Sequence, residues 1–375
     1  MLPQRCTPRL VEQIARLGAS CVSFGEAQAV LHDLLSVELT TDTVRRITEA
    51  VGRREVTLAT AEAAALARSV ARPAVAVVDR LQQVSVDGAM VPLVGGRWEE
   101  VKCVAIGRVE SRDDGPRAVA LSYFARLADS ERFIAEARVE MYRRGTENAR
   151  EVVATTDGAE WIQRYLDEHC PFALRIIDWT HAASYVSSAG QALFGVGTAD
   201  GAAWITSQRE LLWDGQAEAV VAELRRVEDD SERLKPVSAA RQYLEKRLDM
   251  LRYGAFRAGG YPIGSGIVES ANKLVVEARL KGAGKHWAGQ NVDPMLALRC
   301  LSASQRWSSR WPTIRTALRR AHRRHRLPSP PPPPPRPVAE PVVPGRTHVA
   351  AYDANGKPTD AHPWNARRPR HHAKT

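Results

Sequence analysis

Apolar residues recur at helical spacing over positions 1–80 of the chain. The stretches 9–17 and 24–35 each place leucine, isoleucine, valine or alanine on one helix face, and Thr41 or Thr43 caps a third helical stretch, 43–55. Three short helices with basic residues on the third resemble a helix-turn-helix bundle that docks on DNA. A plain helical bundle packed on the next domain is the alternative interpretation.

From residue 82 the pattern changes to alternating, valine-rich segments typical of strands. The predicted elements are strands over 83–93, 98–107 and 118–127, a helix over 130–145, a strand over 151–155, a helix over 159–170 and a strand over 172–177. The first three strands form a meander and the last two alternate with helices. This order is the order of a ribonuclease-H-like α/β domain with a mixed sheet.

Helical patterns return over about 182–258 and are interpreted as an insertion into the α/β domain. A glycine-rich turn follows and opens another helix. The segment 306–326 is densely basic, and because so many like charges repel one another without an anion, we expect it to contact phosphates. Thirteen of the 23 prolines fall in the segment 328–375, which predicts a disordered polyproline tail. The predicted regions are 1–80, 81–327 and 328–375.

The charge balance points to a polyanionic partner. The chain has 53 Lys and Arg against 43 Asp and Glu, a formal net charge of +10, and a sequence pI near 9.6. We expect DNA before a membrane, because no apolar run approaches the roughly 18 residues of a spanning helix. Neither a signal peptide nor a CxxC pair is present, and the five cysteines are scattered, so we expect a cytoplasmic, nucleoid-associated protein.

Three acids are candidates for chemistry. Asp87 lies within the apolar strand VSVDGAMV, where a carboxylate is costly unless a positive charge such as a metal ion neutralises it. An Asp-Gly turn is the alternative there. Asp157 follows a later strand, and carboxylates at strand ends face the edge of an α/β sheet where ligands bind. Alone, it is a turn residue more often than a ligand.

Glu269 lies early in the helix after the glycine turn, where a glutamate commonly does no more than stabilise the helix dipole. The long interval that separates it from Asp157 contains the predicted insertion. Three converging carboxylates bind Mg²⁺ or Mn²⁺ well, because hard cations prefer oxygen ligands. Two such ions hold both the attacking and the leaving oxygen of a phosphodiester.

Asp178 and His181 form a DxxH pair after the strand 172–177. Asp178 is the main rival of Asp157 for the role of second acid. The alternative is that the pair orients the active site or caps the next helix, because two isolated ligands do not make a zinc site.

Five motifs closely resemble bacterial insertion-sequence transposases of the ISKra type, relatives of the Mutator-like DDE group. They are VSVDGAMV, WEEVK, TTDGAEWI, IIDWTHAASY and YPIGSGIVESANKLVVEARLKGAGKHW, and the resemblance runs from about residue 8 to residue 302. It implies a ribonuclease-H-like core with two Asp and one Glu, which fall on Asp87, Asp157 and Glu269. The [C/D]xxH motif of the wider group falls on Asp178 and His181.

Basic residues near Glu269 are candidates for DNA contact. Asn272 and Lys273 share its helix face, since they follow three and four positions later. The predicted DNA-binding residues are Lys273, Arg279, Lys281, Lys285, His286 and Trp287. A solvated helix face is the alternative for the first two of these, and core packing is the alternative for the tryptophan.

These observations predict a metal-dependent DNA transposase that cleaves a strand and transfers it to target DNA. We expect a homo-oligomer, because the two ends of an element are handled together. Two alternatives remain: a metal-dependent nuclease of the same fold that hydrolyses but never joins, and a non-catalytic DNA-binding derivative of a transposase.

Overall fold

The computed structural model describes residues 6–68, 79–228 and 234–326, together with positions 354 and 357. The chain divides into two units, residues 1–326 and residues 327–375. Apart from positions 354 and 357, the predicted proline-rich tail lies outside the described residues. The described helices and strands all belong to the first unit.

Three helices precede the sheet: α1 Pro8–Ser20, α2 Phe24–Leu35 and α3 Thr41–Arg68. α1 and α2 begin at side-chain caps, because Thr7 and Ser23 each accept a hydrogen bond from a backbone N–H of the first turn. The third helix has 28 residues and continues well beyond the predicted stretch 43–55. It continues because the alanine-rich segment after Glu55 contains no glycine or proline that would end it.

The N-terminal helices share a core with the sheet. Ile14 of α1, Leu31 of α2 and Ile47 of α3 are buried in one cluster that also contains Val91 and Val101 of the first two strands. Burial of one apolar face per helix is what the helical spacing predicts. The region from α1 to α3 is therefore packed against the α/β domain as part of one unit.

Five strands form one mixed sheet: β1 Leu81–Pro92, β2 Trp98–Arg112, β3 Gly115–Leu127, β4 Glu151–Thr156 and β5 Leu174–Ile177. Their order across the sheet is β3-β2-β1-β4-β5. The first three strands pair antiparallel, β4 pairs parallel with β1, and β5 pairs parallel with β4. The helices α4 Ser130–Arg143 and α5 Glu160–His169 connect β3 to β4 and β4 to β5. The predicted α/β class and the predicted order of strands and helices are confirmed.

Side chains alternate between the two faces of the sheet, as strand geometry requires. Val86 faces α4 and α5, where it packs in a cluster with Phe133 and Tyr165. Ala89 is buried on the opposite face, in the cluster shared with the N-terminal helices. Asp87 lies between them in sequence and, by alternation, belongs to the same face as Ala89.

A block of five helices follows β5: α6 Trp179–Phe194, α7 Ala199–Trp213, α8 Ala217–Val227, α9 Lys235–Glu245 and α10 Tyr253–Ala258. The block has its own core, to which Val153 of β4 and Ile177 of β5 contribute. After the glycine turn come α11 Gly266–Ala271, a π-helical segment Asn272–Glu277, α12 Ala278–Leu280, α13 Gly289–Ala303 and α14 Trp307–Arg326. Among the described residues, no helix combines the length and the apolar character needed to cross a membrane.

Candidate active site

Two strand registers bring three of the predicted acids to one level of the sheet. Val84 of β1 pairs with Ala154 of β4, and the two strands are parallel. Asp87 and Asp157 each follow three positions later, so they lie at the same level of the sheet. Positions 156 and 177 pair between β4 and β5, and the next position on each strand is Asp157 and Asp178 respectively. Because these strands are parallel neighbours about 4.8 Å apart, the three acids stand side by side where β4 and β5 end.

Asp87 lies inside β1, opposite Cys103 of β2, and not in a turn. Its Oδ1 accepts a hydrogen bond from the Gly88 N–H at 2.7 Å, and its Oδ2 accepts one from Asn272 Nδ2 at 2.8 Å. Burial raises the pKa of Asp87 above its ordinary value, and the negative charge of Asp157 raises it further, whereas both hydrogen bonds act to lower it. The negative charge of Glu100 also raises the pKa, and burial with these neighbouring carboxylates outweighs the two hydrogen bonds.

Asp157 begins the turn that follows β4. Its Oδ1 accepts a hydrogen bond from the Ala159 N–H at 2.8 Å. Its backbone carbonyl accepts one from the Tyr243 hydroxyl at 2.6 Å, and the Gly158 carbonyl accepts one from Arg247 Nη2 at 2.8 Å. Gly158 has a left-handed φ of +76°, and a Cβ there would come within 2.5 Å of Arg247 Nε, so the turn requires glycine.

Asp178, the rival second acid, is occupied by hydrogen bonds within the chain. Its Oδ1 accepts from the His181 N–H at 2.7 Å and caps α6, while its Oδ2 accepts from the Ser265 N–H at 2.7 Å and from Ser265 Oγ at 2.9 Å. Asp178 is 5% exposed. Asp178 therefore caps α6, as the helix-capping alternative from the sequence predicts. It also ties the end of β5 to the glycine turn. Asp157 retains the less occupied carboxylate.

The glycine-rich turn is fastened across the strand ends. Gln83 Nε2 of β1 donates to the Gly264 carbonyl at 2.8 Å, and Thr155 Oγ1 of β4 donates to the Pro262 carbonyl at 3.0 Å. By strand alternation, both side chains lie on the sheet face that also carries the two strand acids. The fastened turn brings the start of α11, and with it Glu269, to the middle of β1 and the end of β4.

The acids line one cleft of about 340 Å³. Its lining residues are Val86, Asp87, Asp157, Asp178, Thr180, His181, Ser184, Ser265, Val268 and Glu269. No lysine or arginine is among them, so the carboxylates face one another without a basic partner. Carboxylate oxygens are the ligands that Mg²⁺ and Mn²⁺ prefer, so the donor chemistry fits the predicted metal.

The three predicted ligands nevertheless do not form a closed site. Within the described parts of residues 6–326, no three His, Cys, Asp or Glu side chains come close enough together to hold a metal ion. Glu269 is exposed on α11, whereas Asp87 is partly buried in β1. The acids therefore line the walls of one cleft, and the charge of Asp157 acts on Asp87. They do not form a preformed three-ligand site.

His181 lies in the cleft beside an aromatic wall that no sequence pattern predicted. Its ring meets the rings of Tyr185 and Tyr243 edge-on, with centroids 5.4 and 5.5 Å away, and the two tyrosine rings stack at 4.0 Å. Burial raises the pKa of Tyr243, so its hydroxyl stays protonated and donates. Tyr243 is far from Asp157 in the sequence, and only the folding of the insertion brings the two together.

Two residues predicted to contact DNA lie in the core instead. Arg279 is 3% exposed, donates to the backbone carbonyls of Gly18 and Val22 at 3.2 Å, and lies over the rings of Phe24 and Trp287. Burial lowers the pKa of Arg279 to about 10. Trp287 is 8% exposed, and its indole N–H donates to a backbone carbonyl. Both side chains join the N-terminal helices to the C-terminal ones, and both also line the cavity that Lys285 and His286 line.

The other predicted DNA-binding residues are at least partly exposed. Lys273 is exposed and has no ion pair among the described residues. Lys281 pairs with Glu277, one turn earlier, at 2.8 Å. Lys285 and His286 line a second cavity of about 370 Å³ against the N-terminal helices. Burial, together with the positive charge of the neighbouring Arg279, lowers the pKa of Lys285.

Two arginines at the start of the basic segment 306–326 form ion pairs with glutamates of other helices. Arg306 pairs with Glu140 of α4, and Arg310 pairs with Glu55 and Glu62 of α3. Glu55 and Glu140 are buried. Phosphate contact was expected because the like charges of this segment repel one another. At Arg306 and Arg310, glutamates of the protein itself neutralise the positive charge. Their charges therefore serve to join α14 to α3 and α4.

Neither a protein-family model nor a curated protein matches this chain. What the chain does must therefore be inferred from the acids at the strand ends, from its net positive charge and from the motifs quoted above.

Proposed function

We propose that this chain is a DDE transposase of a bacterial insertion sequence. It cuts a DNA strand at the end of the element and joins the freed 3′-hydroxyl to target DNA. The observation that carries the proposal is the alignment of Asp87 and Asp157 on neighbouring parallel strands, with Glu269 lining the same cleft. The order of strands and helices, which is that of a ribonuclease-H-like domain, and the resemblance to ISKra-type transposases support it.

Asp87, Asp157 and Glu269 would hold two Mg²⁺ or Mn²⁺ ions. Bound there, the ions would supply positive charge that stabilises the attacking and the leaving oxygens of a phosphodiester. The task of the protein is then to fix the carboxylates and to leave their charge uncompensated by its own cations. Asp87 and Asp157 are anchored by backbone and amide donors, Glu269 is exposed, and no lysine or arginine is among the residues that line the cleft.

The residues around the acids orient them. Asn272 holds one oxygen of Asp87, and Asp178 holds Ser265 at the start of the helix that carries Glu269. Fixed carboxylates need little reorganisation during the reaction, which is the main source of catalysis when charge develops on a transferred group. In this proposal Asp178 and His181 support the active site without acting as metal ligands.

DNA is the proposed partner. The net charge of +10 supports it, and the surface lysines 273, 281 and 285 with His286 are the proposed contacts. Arg279 and Trp287, which the sequence also predicts as contacts, are buried and are not included in this proposal. We also infer that the active form is a homo-oligomer, since two element ends are handled in one reaction.

The test is cleavage of a labelled duplex that carries the flanking ends of the element, with Mg²⁺ or Mn²⁺. We expect the parent to nick at the element end and Glu269→Ala to lack this activity. Glu218→Ala is the matched control, because it removes another exposed glutamate from the first turn of a helix, α8, within the insertion. A parent that binds the duplex but never nicks it would overturn the enzyme and favour a non-catalytic DNA-binding protein.

A second substrate separates a transposase from a nuclease of the same fold. A pre-cut element end with a 3′-hydroxyl is offered together with target DNA. A transposase gives a joined product, and this product disappears in Glu269→Ala. Hydrolysis of the duplex without any joined product would assign the chain to the nucleases.

A further inference from the structure

Tyr243 in the last turn of α9 and Arg247 just after that helix hold the turn that carries Asp157. The Tyr243 hydroxyl donates to the Asp157 carbonyl at 2.6 Å, and Arg247 Nη2 donates to the Gly158 carbonyl at 2.8 Å. Arg247 also braces its neighbour, since its Nη1 donates to the Tyr243 carbonyl at 3.0 Å and its guanidinium lies 4.2 Å from the centre of the tyrosine ring. The insertion thus provides one side-chain donor for each of the adjacent carbonyls of Asp157 and Gly158.

These carbonyls lie beyond the end of β4, where the strand ladder no longer supplies partners. A buried carbonyl without a donor is costly, and the two side chains satisfy both carbonyls. Gly158 has a left-handed φ and no Cβ, and this lets Arg247 approach the turn closely. With the backbone fixed, Asp157 Oδ1 is held by the Ala159 N–H, and the side chain remains in the cleft.

We propose that Tyr243 and Arg247 are positioning residues for Asp157, through which the helical insertion keeps this carboxylate in register with Asp87. The inference rests on the proposed function, because it takes Asp157 as the second acid. The insertion then acts on the active site directly and is more than an addition to the surface of the domain. Neither residue contacts the reacting groups, since both act through the backbone of the turn.

The chain offers a matched comparison on the next strand. The Tyr253 hydroxyl, also from the insertion, donates to the Ile177 carbonyl at 3.0 Å, immediately before Asp178. Tyr243→Phe and Tyr253→Phe therefore remove the same kind of hydrogen bond, one beside each candidate for the second acid. A third variant, Tyr261→Phe, removes a hydrogen bond to Glu151 at the opposite end of β4.

The experiment measures Mn²⁺ affinity of the full chain by calorimetry for these three variants, the parent, Asp87→Asn and Asp157→Asn. Support for metal ligands from outside the coordination shell contributes roughly 10- to 100-fold to affinity. We expect Tyr243→Phe to raise the dissociation constant about tenfold and the other two phenylalanine variants to stay within about twofold of the parent. Arg247→Lys, which keeps the charge but not the paired donors, should fall between Tyr243→Phe and the parent.

Two further readouts separate positioning from simple loss of packing. Melting temperatures of Tyr243→Phe and Tyr253→Phe should shift alike, because each variant loses a buried hydroxyl that donates to a backbone carbonyl. In the nicking reaction, Tyr243→Phe should lower kcat and leave the KM for DNA unchanged, since the substrate does not touch the tyrosine. A melting temperature lowered only in Tyr243→Phe, with unchanged Mn²⁺ affinity, would assign the residue to packing and overturn the inference.

The outcomes distinguish this inference from the proposed function. If Asp157→Asn loses Mn²⁺ binding and Tyr243→Phe keeps it, the positioning role is wrong and the active site stands. If Tyr253→Phe is the variant that loses affinity, Asp178 is the second acid and the inference is overturned. If Asp87→Asn binds Mn²⁺ as the parent does, the proposed metal site itself is wrong, and the positioning role is overturned with it.

Discussion

Two carboxylates of this domain, the buried Glu136 and the partly buried Asp87, are in opposite electrostatic situations. Glu136 of α4 accepts hydrogen bonds at 2.9 Å from Arg126, a fully buried arginine of β3, and from Arg132. Burial acts to raise the pKa of Glu136, but the two arginines outweigh it and hold the pKa below its ordinary value. Asp87 is partly buried and has no basic partner in its cleft. Burial and the negative charges of Asp157 and Glu100 raise the pKa of Asp87.

The difference distinguishes charge that stabilises the fold from charge that is free to bind a ligand. A buried ion pair is complete within the chain, and removing one partner leaves the other uncompensated. A buried carboxylate without a cation destabilises the fold unless a ligand provides the positive charge. Perturbation of this second kind, located in a cleft, is what marks a candidate site.

The largest effect is expected for Asp87→Asn. Loss of one anchored carboxylate should reduce metal-dependent nicking by on the order of 10³-fold. Because the folded-state pKa is raised, ionisation of Asp87 costs stability as the pH rises from its unfolded value, about 3.9, through the folded value. At pH 7 without metal, the free energy of unfolding should therefore be unchanged or higher in the variant.

Urea unfolding and the nicking assay, measured on the same preparation, check this prediction. Asp113→Asn, in the exposed turn between β2 and β3, is the control and should change neither quantity. A variant of Asp87 that is inactive because it is destabilised by more than about 2 kcal/mol would place Asp87 among the residues of the fold.

The opposite behaviour is expected for Glu136→Gln. The substitution leaves Arg126 buried without an anion, which costs about 3 kcal/mol of stability, while the folded fraction should keep its nicking activity. Because the folded pKa of Glu136 is lowered, its contribution is present above its unfolded pKa of about 4.3 and is lost as the pH falls through the folded value. The variant should therefore lose less stability than the parent between pH 5 and pH 3.

Urea unfolding as a function of pH measures this effect. Glu131→Gln, an exposed glutamate on the same helix, is the control. An acid dependence that Glu136→Gln leaves unchanged would show that another carboxylate dominates it.

The two kinds of charge differ in how far the sequence predicts them. The acids Asp87, Asp157 and Glu269 stand at positions defined by local patterns: a strand, a strand end and a helix start. Even so, the two aspartates lie side by side only because β1 pairs with β4 in this register. The composition of a segment cannot predict that register, because it depends on which strands become neighbours.

Partners that are distant in sequence were not predictable. Arg279 was expected to contact phosphate because it is basic and follows Glu269, yet it is enclosed by the end of α1 and the loop after it, near the opposite end of the described chain. Arg310 likewise finds its anions on α3. A count of charges along the chain does not show which of them are neutralised after folding.

A smaller effect is expected at the amide beside Asp87. Asn272 donates to Asp87 at 2.8 Å, and its own Oδ1 is buried without a hydrogen-bond partner among the described residues. Asn272→Asp replaces the donor with a second carboxylate and should raise the pKa of Asp87 further. Half-maximal nicking should then need roughly tenfold more Mn²⁺.

A Mn²⁺ titration of the nicking rate tests this prediction, with Asn148→Asp as an exposed control. If Asn272→Asp needed less Mn²⁺ than the parent, Oδ1 would be a metal ligand and the amide would not serve to orient Asp87.

The smallest effect is expected for two lysines, one without an ion pair among the described residues and one paired with a glutamate. Lys273 has no ion pair among the described residues, whereas Lys281 pairs with Glu277. A lysine that contacts a phosphate adds about 0.9 to the slope of log Kd against log salt for duplex DNA. Lys273→Gln should therefore lower this slope by about one and weaken binding a few-fold at low salt, whereas Lys281→Gln should change it less, because Glu277 already compensates the ammonium. Duplex binding measured in EDTA at several KCl concentrations gives both slopes independently of cleavage. Equal changes in the two variants would mean that internal pairing does not decide which surface charges bind DNA, and the distinction would then hold only for buried groups.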